Sequence, residues 1–131
     1  MTWPNRTVLC IDDNQDTCEL VAIVLERAGY KVTICNTPDE GLQYAREGLF
    51  AAIILDFRFS TMTGPELCQS IREFDSRTPI IFYTAAAYAE ERFEGMAAGA
   101  QAYLTKPDDF EILAETVAQL TGGSEAKAAC G

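Results

Sequence analysis

Residues 51–56 read Ala-Ala-Ile-Ile-Leu-Asp, so five apolar residues lead directly into a carboxylate. A continuous apolar run of this length, bounded by polar residues, predicts a β-strand that is buried on both faces. In open α/β sheets, ligands bind at the carboxyl ends of the strands. Asp56 is therefore the first candidate functional residue.

Three further apolar runs end in polar side chains in the same way. They are residues 7–11 before Asp12 and Asp13, residues 79–83 before Thr84, and residues 102–105 before Lys106 and Pro107. If these strands are parallel and adjacent, three carboxylates, a hydroxyl and an ammonium group meet at one edge of the sheet.

Segments with helical periodicity separate the strands. Helices are expected at about residues 15–28, 38–47, 64–74, 88–98 and 109–120, and a further strand is expected at 31–35. Residues 31–35 alternate between polar and apolar, which is typical of an edge strand. Thr37 and Pro38 form a helix start. The alternation of strands and helices along the chain predicts a single α/β domain, a doubly wound (βα)5 fold with a parallel sheet covered on both faces.

The apolar residues of the third and fourth helices predict which face of each helix is buried. Leu67, Ile71 and Phe74 mark the inner side of the third helix. Phe93, Met96 and Ala97 form the apolar stripe of the fourth helix, and Glu90, Glu91 and Glu94 are expected on its solvated face.

Composition limits the classes of partner. The chain has 131 residues, of which 48% are hydrophobic, and a formal net charge of -10. Nucleic acids and anionic membranes both favour clusters of Lys and Arg. We therefore expect neither nucleic acid nor membrane as a partner, and no apolar run reaches membrane-spanning length.

The cysteines predict a reducing compartment. There are five cysteines but no Cys-x-x-Cys pair, and the chain has no histidine that could complete a zinc site. Reduced structural thiols are the expectation, and they fit a cytoplasmic location.

Residues 6–121 resemble a response-regulator receiver domain, the CheY-like phosphoacceptor module of two-component signalling. The resemblance lies in an acidic pair after the first strand, an aspartate after the third, a threonine after the fourth, and a Lys-Pro pair after the fifth. Tyr103 matches the aromatic switch position of that family, and the spacings between these residues agree with it. The resemblance implies a flavodoxin-like sheet of order 2-1-3-4-5. Residues 122–131 are then expected to be a flexible tail.

The resemblance also implies a role for each site residue. Asp56 is the phosphoacceptor, and Lys106 neutralises charge on the phosphoryl oxygens. Asp13, Asp56 and the backbone carbonyl of Arg58 bind Mg²⁺, with Asp12 acting largely through water. Thr84 senses the phosphoryl group through its hydroxyl, and Tyr103 then turns inward.

The partners implied are a sensor histidine kinase or a phosphotransfer protein, together with an unidentified downstream protein. The downstream protein is expected to bind the surface formed by the fourth helix, the fifth strand and the fifth helix. A monomer or weak dimer is expected, because residues 99–102 lack the acidic side chains of many dimeric regulators.

Three alternatives remain open from the sequence. The chain could be a receiver fragment of a longer regulator or hybrid kinase. It could be a flavodoxin-like cofactor binder, although Asp12, Asp13 and Asn14 would repel a phosphate where such proteins place an anion cradle. It could also be a phosphohydrolase that forms an aspartyl phosphate for turnover, whereas a receiver is a phosphoacceptor and not a turnover enzyme.

Overall fold

The computed structural model describes residues 6–122, in which five β-strands and five α-helices alternate. The strands are β1 (Thr7–Ile11), β2 (Lys31–Cys35), β3 (Ala52–Leu55), β4 (Ile80–Thr84) and β5 (Ala102–Thr105). The helices are α1 (Gln15–Arg27), α2 (Pro38–Arg46), α3 (Gly64–Arg72), α4 (Ala89–Ala97) and α5 (Leu113–Thr121), the last preceded by a 3-10 helix, Phe110–Ile112. Most of the predicted tail, residues 123–131, lies outside the described residues.

All the strand pairings are parallel, and the sheet order is β2-β1-β3-β4-β5. This confirms the predicted order and the edge position of β2. Ile11 pairs with Leu55, so the residues that follow β1 and β3 leave the sheet next to each other. The register therefore brings the carboxylates after these two strands together.

Each face of the sheet carries its own apolar cluster. Leu9, Ile11, Ile53 and Leu55 belong to the cluster on one face, and their neighbours along the strands belong to the other. Helix α1 contacts α5 on one side of the sheet, and α3 contacts both α2 and α4 on the other side. Burial on both faces explains why the central strands are continuously apolar. No helix within residues 6–122 has the length and apolar character needed to cross a membrane.

Two of the helix starts are stabilised by threonine side chains. Thr37 accepts a hydrogen bond from the backbone N–H of Glu40, and Pro38 occupies the first helical position of α2, as predicted. At α3, Thr63 accepts from the N–H of Glu66, and Glu66 accepts from the N–H of Thr63 in return. This reciprocal pair fixes the end of the loop that carries Asp56.

The predicted apolar stripe of α4 is wrong. Phe93 is 76% exposed, and Met96 and Ala97 are also exposed, whereas Gly95 is buried. A Cβ atom at Gly95 would lie 3.0 Å from the ring of Tyr103, so the helix approaches β5 at its glycine. Phe93 and Ala97 stand two residues to either side of Gly95. Because an α-helix turns by about 100° per residue, these two side chains point away from the face that Gly95 presents to the sheet.

The predicted inner side of α3 is confirmed for Leu67 and Ile71 but not for Phe74. Leu67 and Ile71 are fully buried, whereas Phe74 lies beyond the end of α3 and is exposed. The guanidinium of Arg46 lies 4.8 Å from the centroid of the Phe74 ring. The exposed ring is therefore covered in part by a cation rather than by the core.

Gly64 fixes the distance between α3 and the end of β3, which gives a test of the fold. A Cβ atom at Gly64 would lie 2.2 Å from the backbone oxygen of Asp56 and 2.6 Å from Cε1 of Phe82. We expect Gly64→Ala to lower the free energy of unfolding by about 1–3 kcal/mol, because neither neighbour can move without strain. Ser60→Ala, at an exposed position of the same loop, is the matched control and should change it by less than about 0.5 kcal/mol. Equal stability of both variants in urea unfolding would contradict this packing.

Candidate functional site

Three carboxylates converge at the carboxyl ends of β1 and β3. One carboxylate oxygen each from Asp12, Asp13 and Asp56 lies within 4.8 Å of the other two. Asp12 is buried, Asp56 is half-buried and Asp13 is exposed. The structure therefore brings together the acidic residues that the sequence placed at this edge of the sheet, and it leaves them open to solvent on one side.

Lys106 reaches this cluster from the end of β5. Its Nζ atom lies 2.9 Å from Oδ2 of Asp12 and 3.8 Å from Oδ2 of Asp56. The peptide bond between Lys106 and Pro107 is cis. The ammonium group therefore lies at the sheet edge where the sequence predicted it, and it contacts two of the three carboxylates.

Burial disfavours the charges of Asp12 and Lys106, and the contact between the two side chains favours them. Burial raises the pKa of Asp12 above its ordinary value, and the hydrogen bonds from Lys106 and from the N–H of Asn14 only partly offset this. Burial by itself lowers the pKa of Lys106. The hydrogen bond to Asp12 and the negative charge of Asp56 outweigh burial, so the pKa lies above its ordinary value. Each charge therefore depends on the other.

The backbone of Asp12 is fixed by two side chains that the sequence did not single out for this role. Asn36 Nδ2 donates to the Asp12 carbonyl over 2.9 Å, and the Cys18 thiol donates to the same oxygen over 3.4 Å. Cys18 also lies 3.9 Å, sulfur to sulfur, from Cys10. Cys10, Cys18, Cys35 and Cys68 are free and buried, which agrees with the structural role predicted for them, and Cys130 lies outside the described residues.

The carboxylate of Asp56 is oriented by its own loop. The backbone N–H of Phe57 donates to Oδ1 of Asp56 over 2.7 Å, and Oδ2 is the oxygen nearest Lys106. In the loop that follows, Arg58 and Thr63 form an isolated antiparallel β-bridge. The backbone N–H of Phe59 donates to the carbonyl of Met62, and the N–H of Gly64 donates to the carbonyl of Phe57. The Arg58 carbonyl takes no part in these bonds.

The donor set fits a hard divalent cation. Within residues 6–122, the cluster offers oxygen donors alone, and Lys106 is the one ammonium group that contacts its three carboxylates, reaching two of them. Mg²⁺ prefers carboxylate, carbonyl and water oxygens and usually keeps several waters. The exposed side of the cluster, at Asp13, leaves room for such waters.

Thr84 and Tyr103 lie on the other side of the site. The Thr84 hydroxyl is buried and accepts a hydrogen bond from the N–H of Ala86 over 3.1 Å. Tyr103 occupies an inward position, with its hydroxyl donating to the carbonyl of Ala86 and its ring packed against Phe82. Burial raises the pKa of Tyr103 to about 12, with the charge of Glu91 adding to the effect, so the hydroxyl stays a donor. Both residues therefore contact the loop after β4 at Ala86.

A cavity of about 300 Å³ opens beside Asp56. Its wall includes Asp56, Thr84, Lys106, Arg58, Tyr88 and Glu91. Glu90 and Glu94 are exposed, as predicted, but the solvated position expected for Glu91 is wrong. The Glu91 side chain is only 12% exposed and forms an ion pair with Arg58 across the mouth of the cavity. A glutamate at the third position of a helix often accepts from the backbone N–H at the helix start, a signal that could have identified Glu91.

Comparison with known proteins agrees with this geometry. The family model described as "Response regulator receiver domain" matches residues 8–118. The chain is 39% identical to the transcriptional regulatory protein HprR of Escherichia coli (strain K12) over 114 residues, which are 86% of this chain and 51% of that protein. It is 34% identical over 106 residues to the uncharacterized transcriptional regulatory protein YkoG of Bacillus subtilis (strain 168), covering 81% of this chain and 46% of that protein.

A solved structure has the same fold. A putative response regulator from Chloroflexus aurantiacus J-10-fl superposes with a TM-score of 0.84 at 30% identity, covering 91% of this chain and 99% of that one. The chain spans about half the length, or less, of the curated relatives it matches.

The dependence of Asp12 on Lys106 gives a prediction about pH. In Lys106→Met, the cation and the hydrogen bond that favour the charged form of Asp12 are lost. Asp12 should then keep its proton to a higher pH than in the parent protein, so its pKa rises. Carbon-13 NMR of the side-chain carboxyl carbons, titrated in metal-free buffer, measures this directly. Lys31→Met, at the exposed start of β2, is the control. An Asp12 midpoint that is the same in Lys106→Met and Lys31→Met would be evidence against the pair.

Proposed function

This chain belongs to the response-regulator receiver domain family, and from that membership we propose that it is a phosphorylation switch with Asp56 as its phosphoacceptor. The phosphoryl group would come from a sensor histidine kinase or a phosphotransfer protein. The observation that carries the proposal is the contact of one ammonium group, Lys106, with both Asp12 and Asp56 at the end of the central strand.

The transfer step needs a nucleophile, a leaving group and a cation that offsets the negative charge of the phosphoryl oxygens. A carboxylate oxygen of Asp56 attacks phosphorus, the bond between phosphorus and the donor's histidine nitrogen breaks, and the imidazole leaves with the electron pair. Lys106 would offset the negative charge of the phosphoryl oxygens, because its Nζ atom lies only 3.8 Å from Asp56. The half-buried position of Asp56 beside an open cavity leaves space for the incoming group.

A bound Mg²⁺ ion would reduce the repulsion between the carboxylates and the phosphoryl oxygens. Asp13 and Asp56 would hold it directly, together with the carbonyl of Arg58, and Asp12 would act largely through water. The all-oxygen donor set and the exposed side of Asp13 support this assignment.

Thr84 and Tyr103 would transmit the change to a partner. Once Asp56 is modified, the Thr84 hydroxyl can donate to a phosphoryl oxygen while still accepting from Ala86. Because the Tyr103 hydroxyl donates to the carbonyl of Ala86, a shift of the loop after β4, which contains Ala86, would stabilise or weaken the inward position of the Tyr103 ring. The surface of α4, β5 and α5 would then differ between the two states, which is what a partner must sense.

The names of the curated relatives count against the expectation that no nucleic acid is involved. HprR and YkoG are both named as transcriptional regulatory proteins. The net charge of -10 argues only that this chain itself does not bind nucleic acid. We propose that the switch acts in the regulation of transcription through a DNA-binding partner or a DNA-binding segment joined to it.

Loss of the phosphoryl group to water would reset the switch. Receiver domains are signalling modules rather than turnover enzymes, and slow hydrolysis of the acyl phosphate fits that role. A flavodoxin-like cofactor binder is less consistent with the site, because the carboxylates after β1 would repel a cofactor phosphate. The buried free thiols support a reducing, cytoplasmic location.

Phosphorylation of Asp56 can be tested by intact mass. After incubation with Mg²⁺ and acetyl phosphate, the parent protein should gain the mass of one phosphoryl group, and Asp56→Asn should gain none, because its amide is not a nucleophile of this kind. Asp39→Asn, an exposed aspartate in the first turn of α2, is the control and should behave like the parent. Phosphorylation of Asp56→Asn to the parent's extent would refute the assignment.

A further inference from the structure

An ion pair joins the phosphoacceptor loop to the start of α4. Arg58 stands two residues after Asp56, and its Nη2 atom donates to Oε2 of Glu91. Glu91 lies in the first turn of α4, and both residues line the cavity beside Asp56. The pair therefore connects the site of phosphorylation to the helix by a contact that does not involve Thr84 or Tyr103.

The two members of this pair differ in how firmly they are held. Oε1 of Glu91 accepts from the backbone N–H of Tyr88 over 3.0 Å, and the Glu91 side chain is only 12% exposed. The Arg58 side chain is 69% exposed, and its guanidinium lies 5.4 Å from the centroid of the Phe57 ring. Arg58 therefore has space to move, whereas Glu91 is fixed to the helix start.

Phosphorylation changes which acceptor suits Arg58 best. An acyl phosphate at Asp56 would carry about two negative charges where the carboxylate carried one, together with three strong acceptor oxygens. Its phosphoryl group would enter the cavity that Arg58 and Glu91 line. Arg58 then has two competing anions within its reach, and guanidinium binds phosphate oxygens through paired hydrogen bonds.

We propose that Arg58 exchanges partners on phosphorylation, leaving Glu91 and binding the phosphoryl oxygens. This inference rests on the proposed function and gives the Arg58 side chain a role in binding the phosphoryl group, in addition to the role proposed for its backbone carbonyl. The exchange removes the cation from the first turn of α4 and leaves the charge of Glu91 unpaired next to Tyr88, which is itself 77% exposed. The start of α4 is thereby altered along a second route.

Partner exchange predicts that changes at the two residues act in opposite directions. Glu91→Gln keeps an oxygen that can accept from the Tyr88 N–H but releases Arg58, so the phosphoryl group no longer has to compete for it. Arg58→Gln removes the phosphoryl contact. We expect Glu91→Gln to bind the phosphoryl mimic beryllofluoride, in the presence of Mg²⁺, roughly 1.5- to 5-fold more tightly than the parent, and Arg58→Gln to bind it more weakly.

Two matched variants separate this effect from general electrostatics. Glu94→Gln removes a charge from an exposed position of the same helix and should change binding less than Glu91→Gln does. Arg58→Lys keeps the charge without the planar fork and should fall between the parent and Arg58→Gln. In the double variant Arg58→Gln/Glu91→Gln, the gain from Glu91→Gln should disappear, because no arginine remains to be released.

Beryllofluoride titration followed by amide NMR of these proteins distinguishes the outcomes. The amide of Tyr88 should shift on binding in the parent and much less in Arg58→Gln. If Glu91→Gln gains the same factor with and without Arg58, or no more than Glu94→Gln, partner exchange is wrong while the phosphoacceptor role stands. If the parent itself does not bind beryllofluoride at Asp56, the proposed function fails and the exchange fails with it.

Discussion

The contact of Lys106 with Asp12 and Asp56 is the interaction on which the rest of the site depends. The parallel register of β1 and β3 places two carboxylates next to each other, and Asp13 adds a third. Such a cluster is unfavourable without a cation, the more so because Asp12 is buried. Lys106 provides one positive charge at 2.9 Å from Asp12, which leaves the cluster with excess negative charge. That excess would favour the binding of a divalent cation and, with it, of a phosphoryl group, as we propose.

Much of the fold and of the site could be predicted from local sequence, because both follow from strand ends. A continuous apolar run sets a central strand, and the polar residue after it is placed by the strand itself, as Asp56 and Thr84 are. What could not be predicted depends on how the helices approach the sheet. Gly95 allows α4 to pack on Tyr103, which turns Phe93 outward, although Phe93 is the most apolar residue of that helix. Helical periodicity does not distinguish Glu91 from Glu90 or Glu94, and the signal that could have identified it is its position three residues after the helix start at Tyr88.

Two links, each a set of contacts, lie between the cavity beside Asp56 and α4, and they differ in kind. In one, the N–H of Ala86 donates to the Thr84 hydroxyl, and the Tyr103 hydroxyl donates to the carbonyl of Ala86. The other is the Arg58–Glu91 ion pair. The first link is buried and depends on geometry, whereas the second lies at the surface and is therefore weakened by salt. Tyr88, which precedes α4, and Phe93 on α4 are both exposed and lie on the part of the chain that the two links reach.

We propose that the carboxylate cluster holds Mg²⁺, and a Mg²⁺ titration followed by amide NMR measures this most directly. The parent should show saturable shifts at residues after β1 and β3. Asp13→Ala removes one carboxylate ligand from an oxygen-donor site and should weaken Mg²⁺ binding, about tenfold or more, with the fold intact. Asp16→Ala, also acidic and exposed in the first turn of α1, should bind as the parent does. Equal affinity in the parent and in Asp13→Ala would contradict the account.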